Sequence, residues 1–150
     1  MRRQTFLLLA TLLTFVGCAK SPDTKQAPVA QGPTPIATTR QVMLGITIPT
    51  SDVLFQVGNA APKDDLEWEK VQANAAALAE SANLLLVPPR LIDQPEWKGF
   101  VKQLVETASL AQQAAQAHDV DKVLDVGNQI YEVCDGCHKK YMAARAGETQ

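Results

Sequence analysis

Residues 119–141 read DVDKVLDVGNQIYEVCDGCHKKY. Within them Val120, Val123, Gly127, Ile130, Cys134, Cys137 and Tyr141 recur at alternating steps of 3 and 4. That spacing collects side chains on one face of an α-helix, and nothing in the stretch alternates with the period of 2 that a half-buried strand requires. Asp119 precedes the first apolar position, where a carboxylate accepts from the free N–H groups of a helix start. A helix from Asp119 as N-cap to about Arg145 is therefore predicted. Its stripe needs other stripes to cover it, since tertiary burial supplies most of a helix's stability.

The sequence upstream supplies three. A helix from Asp93 or Pro95 to about His118 turns Trp97, Phe100, Leu104, Ala108, Ala111 and Ala115 inward, and a proline in the first turn is a normal start. Another runs from about Asp64 to Val87, with Trp68, Val71, Ala75, Leu78, Ala82 and Leu85 as its stripe and Pro88-Pro89 as its stop. Asp64, Asp65 and Glu67 crowd its start, where the helix dipole favours anions. The first covers about Thr38 to Val57, with Met43, Ile46, Thr50, Val53 and Val57 inward. Pro49 predicts a kink or interruption there, because it lacks an N–H and crowds the preceding turn. Four such helices with mostly short connections predict an all-α fold, an antiparallel up-down four-helix bundle.

Composition agrees. The chain has 150 residues, 46% hydrophobic and 20% charged, enough for one domain with a core and outside the range of disordered or collagen-like chains. A formal charge of −2 offers no basic excess for neutralising phosphates, which argues against nucleic acid as a partner. Low aromatic content, 5%, with abundant alanine favours helices.

The segment ahead of the helices reads as an address and a tether. Arg2 and Arg3 precede an apolar run from Phe6 to Val16, the layout of a secretory signal peptide and well short of the roughly 20 residues of a membrane span. Phe15-Val16-Gly17-Cys18 resembles a bacterial lipoprotein box, with Phe15 where leucine is usual. This resemblance implies cleavage after residue 17 and lipidation of Cys18. Ala19 at the next position implies delivery to the outer membrane of a Gram-negative bacterium, facing the periplasm. Residues 18–37 carry Pro22, Pro28, Pro33 and Pro35 among small and polar residues and read as a disordered tether. The division is then 1–17 signal, 18–37 tether, 38–147 bundle and 148–150 tail. Without Arg2 and Arg3, 12 basic face 16 acidic residues, a net charge of −4.

Cys134-Asp135-Gly136-Cys137-His138 brings chemistry to the opening stretch. C-x-x-C-H is the attachment signature of c-type haem: two thiols add across the two vinyl groups and the adjoining imidazole reaches iron. On a helix, positions 134, 137 and 138 share one side. A thioredoxin-type pair belongs at a helix start in a βα unit, not late in a fourth helix. Zinc wants four ligands, and His118 lies about twenty residues up the same helix, roughly 30 Å away.

A C-x-x-C-H late in the last helix of a four-helix bundle resembles the class II c-type cytochromes, comprising cytochrome c prime and its six-coordinate c-556-like relatives. The resemblance covers residues 38–147 in helix number and motif placement. It implies one covalent haem sunk between the helices at one end, held by Cys134 and Cys137, with His138 as the proximal iron ligand. It also implies redox partners in the periplasm, and a homodimer is common among related bundles. In the six-coordinate relatives a methionine early in the first helix binds the iron, a placement Met43 matches, and Met/His ligation suits electron transfer. Two readings stay open. Met43 is the distal ligand, or it is core filler beside a five-coordinate haem that binds NO or CO. Cytochromes c prime typically carry a basic residue four positions after the haem histidine, where this chain has Met142.

If the helices alternate in direction, the haem end also collects the tail of the second helix and the start of the third. Leu84, Leu85, Trp97 and Phe100 become candidate pocket walls, with Arg40 and Arg90 as candidate propionate partners. Lys139, Lys140 and Arg145 form a basic cluster, either a docking point for an acidic redox partner or a solvated face. No second histidine or paired carboxylate is placed near the iron, so no enzymatic chemistry is expected. A purely structural, membrane-tethered bundle would leave C-x-x-C-H without a role.

Overall fold

The computed structural model describes residues 32, 34–92 and 94–147, without the side chains of 94 and 143–147. Cys18, the signal segment and Asp93 lie outside the described residues, as does the Arg145 side chain. Among those described the chain is entirely helical, with no strand. Four helices account for it. Helix α1 covers 39–56 and has three sections in direct succession: α-helical Thr39–Val42, a π turn at Met43–Thr47 and α-helical Ile48–Gln56. Helix α2 is Asp65–Leu84, α3 is Gln94–Gln116 and α4 is Val120–Gly147. None is long and apolar enough to cross a membrane.

Local chemistry sets the boundaries. Thr38 caps α1 reciprocally: its Oγ1 accepts from the Gln41 N–H at 3.2 Å while the Gln41 Oε1 accepts from the Thr38 N–H at 2.9 Å, satisfying two donors that a helix start leaves open. Asp64 Oδ1 accepts from the Glu67 N–H at 2.9 Å, and Glu67 Oε2 from the Lys63 N–H at 2.8 Å. Asp119 caps α4, as expected, through the Lys122 N–H at 2.9 Å. At the end of α3, His118 adopts φ 54°. The Asp119 N–H reaches back to the Ala114 carbonyl and the His118 N–H to that of Ala115, a helix stop usually built on glycine. Stacking of the His118 ring on Trp68, centroids 4.9 Å apart and planes within 5°, accompanies this left-handed residue. Helix α2 ends three residues before Val87, and turns carry the chain to Arg90.

Contacts between consecutive helices join an earlier part of one to a later part of the next. Thr47 in α1 donates through Oγ1 to Ser81 Oγ in α2 at 3.0 Å. Trp68 near the start of α2 meets His118 beyond the end of α3. Trp97 near the start of α3 meets Tyr141 late in α4, centroids 4.9 Å apart. Opposite directions in neighbouring helices place residues in this way.

The expected stripe of α2 is buried throughout, and that of α3 at every position except half-buried Phe100. In α4, Val123, Gly127 and Ile130 are buried, while Val120, Cys134, Cys137 and Tyr141 are half-buried. Ala75, Ala82, Ala108, Ala111 and Ala115 have no exposed surface, small side chains that let α2 and α3 approach closely. The irregularity expected at Pro49 takes the form of a π turn at Met43–Thr47, through which the chain goes on as a helix. Helix α1 nevertheless corrects the sequence reading of its stripe. Of its expected stripe only Thr50 and Val57 are buried, while Met43, Ile46 and Val53 are half-buried. The core positions are instead Val42, Thr47, Thr50, Ser51, Leu54 and Val57, shifted by the extra residue that a π turn holds.

Candidate functional site

The last third of α4 turns Cys134, Cys137, His138 and Tyr141 toward the starts of α1 and α3, and two adjoining cavities open there. An inner one of about 200 Å³ is lined in part by Cys134, Cys137, His138, Leu85, Phe100 and Leu104. An outer one of about 480 Å³ takes Arg40, Leu44, Ile92, Tyr141 and Met142 as part of its wall. Met43, Ile48, Trp97, Cys137 and His138 belong to both. The outer volume alone falls within the ~300–1,000 Å³ typical of cofactor sites.

The walls are held firmly. Trp97, 3% exposed, donates its Nε1–H to the Leu85 carbonyl at 2.9 Å, so a carbonyl at the end of α2 is satisfied by the indole that walls the cavity. Tyr141 meets Trp97 and Phe100 edge to face, at 4.9 and 6.3 Å between centroids. Gly136, inside the cysteine motif, explains how Phe100 comes so near. A Cβ there would stand 3.2 Å from Phe100 Cε1, closer than side-chain carbons normally approach.

Most of the expected site assembles. Cys134, Cys137, His138, Met43, Leu85, Trp97 and Phe100 line these cavities, and exposed Arg40 stands at the outer rim. Two expectations are corrected. Leu84 is 37% exposed and is not a lining residue, because the turn after α2 points Leu85 inward instead. Arg90 is 6% exposed, with its Nε donating to the Leu84 carbonyl at 2.6 Å and Nη1 to the Ala37 carbonyl at 2.7 Å. It faces a separate depression beside Pro35 and Pro89 and ties the α2–α3 turn to the entry of α1. The basic cluster is partly neutralised, since Lys139 pairs with Asp135 at 2.6 Å and Lys140 with Glu96. His118 stands at the opposite end, on Trp68.

Replacing Arg90 with methionine removes the guanidinium's bonds to the Ala37 and Leu84 carbonyls, leaving Leu84 only the long bond from the Val87 N–H at 3.3 Å. A loss of about 2–4 kcal/mol in unfolding free energy is expected, as hydrogen bonds from a charged group contribute ~1.5–3 kcal/mol each. Urea unfolding measures it, and Arg90→Lys recovers less than half because one ammonium replaces a fork of donors.

Sequence reasoning missed Thr47, Ser51, Asp52 and Phe55 in α1 and Tyr131 in α4, all lining the inner cavity. No simple signal marked the α1 residues, because the π turn displaces the face that a uniform helical period predicts.

The thiols are free and half-buried. Burial pushes the Cys134 thiol above its usual value, and burial together with the charge of Cys134 pushes Cys137 up to about 11. Both are protonated at neutral pH, unlike the low-pKa thiolate of a disulfide-exchange pair. Among the described residues no three His, Cys, Asp or Glu side chains gather as a metal-binding cluster. No protein-family model, curated protein or solved structure matches the chain.

Proposed function

We propose that this chain is a monohaem c-type cytochrome that transfers single electrons, tethered to a membrane in the periplasm through a lipid on Cys18. One observation carries the reading: Cys134, Cys137 and His138 from α4 and Met43 from α1 all line the same apolar inner cavity. The residues fit a haem. Two thiols and an imidazole stand at attachment spacing, a thioether comes from the facing helix, and Leu85, Trp97 and Phe100 offer flat or branched apolar walls.

Cys134 and Cys137 would hold the haem as thioethers, each thiol giving its sulfur to one vinyl carbon and its hydrogen to the other. His138 and Met43 would be the protein's ligands to the iron. Haem bound in this way supplies one-electron chemistry, and a methionine ligand raises its potential. Trp97 and Phe100 limit water at the site, the protein's contribution beyond ligation. Arg40, at the outer rim, would meet a propionate. The resemblance to class II cytochromes stated above agrees with this arrangement, as does the bundle architecture. The exported location follows from the sequence of residues 1–18, and the partners would be other periplasmic redox proteins.

The absorption spectrum of protein matured in a periplasm with haem-attachment machinery tests the reading. A low-spin spectrum with a methionine–iron charge-transfer band, indifferent to CO, is expected. A high-spin spectrum with ready CO binding would replace electron transfer by a gas-binding role. Absence of covalent haem would end the proposal.

A further inference from the structure

Met43 is the first residue of the π turn in α1. In such a turn the backbone bond runs from residue i+5 instead of i+4, so one extra residue is accommodated; here the Ile48 N–H donates to the Met43 carbonyl. Residues upstream therefore occupy the places that residues one number higher would take in an unbroken helix, a rotation of about 100°. Burial records the shift. Downstream, Thr47, Thr50, Leu54 and Val57 are buried, a line that a regular helix would continue back to residue 43. The residue buried there is Val42, at 2% exposure, whereas Met43 is half-buried on the cavity wall. The wall line itself, formed by Phe55, Ser51 and Ile48, would continue to residue 44 in a regular helix. Leu44 is instead 51% exposed at the outer rim, and Met43 holds its place.

Local features favour the extra residue. Pro49 has no N–H to close a bond with the Gly45 carbonyl, and its ring would crowd that carbonyl in a regular helix. Thr50 Oγ1 donates to the carbonyls of Ile46 at 2.7 Å and Thr47 at 3.1 Å, and Ser51 Oγ to that of Ile48 at 3.0 Å. Thr47 is itself tied to α2 through Ser81. At Gly45 a Cβ would meet nothing within 4 Å, so no packing on that residue fixes the turn.

We propose that the π turn selects the distal ligand, presenting Met43 instead of Leu44 to the inner cavity that Cys134 and His138 line, with Pro49 and Thr50 as positioning residues; this deepens the haem reading above and rests on it. Moving the sulfur one place along tests the selection. In the double variant Met43→Leu with Leu44→Met the charge-transfer band is lost, as in Met43→Leu alone; a band retained in the double variant but lost in the single one overturns the selection while leaving Met43 as ligand. A band retained in Met43→Leu overturns the ligand reading and the selection with it.

Deleting Gly45 in a Pro49→Ala background gives the opposite signature. Removal of the extra residue leaves Met43 in phase with the wall, and the band persists at wild-type intensity. In a helix that had been regular, the same deletion would turn Met43 away by about 100° and abolish the band, which would overturn the proposal. A readout independent of these variants is the hydrogen-bond scalar coupling of the Ile48 amide in the ferrous full-length holoprotein. Coupling to the Met43 carbonyl is expected, and coupling to that of Leu44 contradicts the π turn itself.

Discussion

Replacing Cys134 and Cys137 together with alanine is expected to take covalently retained haem from one per chain to none. Both side chains line the inner cavity, one helical turn apart on α4, and no other thiol stands among the described residues. The double variant removes only a sulfur at each of two half-buried positions, and alanine suits a helix. The bundle should therefore still fold, with circular dichroism reporting helix content near that of the unloaded wild type. Intact mass after unfolding and acid extraction of loose haem measures the loss. Each single variant keeps one attachment and retains haem in lower yield. Haem still bound covalently in the double variant would place the attachment elsewhere and remove the role assigned to α4. His138→Ala separates attachment from ligation. It leaves both thioethers in place and changes the spectrum, because imidazole is the group it removes.

How far the sequence revealed this arrangement differs between helices for a physical reason. In α2 every stripe residue from Trp68 to Leu85 is buried, because a regular helix keeps 3.6 residues per turn and periodicity alone then predicts its inner face. The cysteine motif was legible for the same reason: α4 is regular through 134–138, so thiols and imidazole share a side. Helix α1 breaks the rule. A proline advertised an irregularity at residue 49, yet whether the chain kinks, stops or takes in an extra residue depends on what the flanks are tied to. Those ties, Val42 in the core, Thr47 to Ser81 and the Ala37 carbonyl on Arg90, are long-range and invisible to a local pattern. Met43 was placed at the site by helix direction although the stripe it was assigned to is not the buried one. Arg90 failed similarly. Its position in the chain suited a propionate, but the turn at 85–90 turns its guanidinium to two carbonyls.

Met43→Ala is expected to open one axial position, lower the reduction potential and confer CO binding. Met43 reaches the cavities from α1, the helix opposite the cysteine motif, and is the one methionine shared by both. Met142 lines only the outer cavity, is 62% exposed and lies four residues after His138 on the same helix, so it approaches from the histidine's side. A thioether is a soft, neutral donor and favours the reduced metal over the oxidised one. A tenfold preference corresponds to 59 mV in a one-electron couple, so loss of a hundredfold preference lowers the potential by about 120 mV. The variant's cost in stability should stay near 1–2 kcal/mol, below the 2–5 kcal/mol of a fully buried methionine, because Met43 is half-buried. Potentiometry and CO titration of the ferrous protein measure the first two effects, and urea unfolding the third. The combination is diagnostic: a methionine that only fills space would leave the potential and the CO response unchanged while still costing stability.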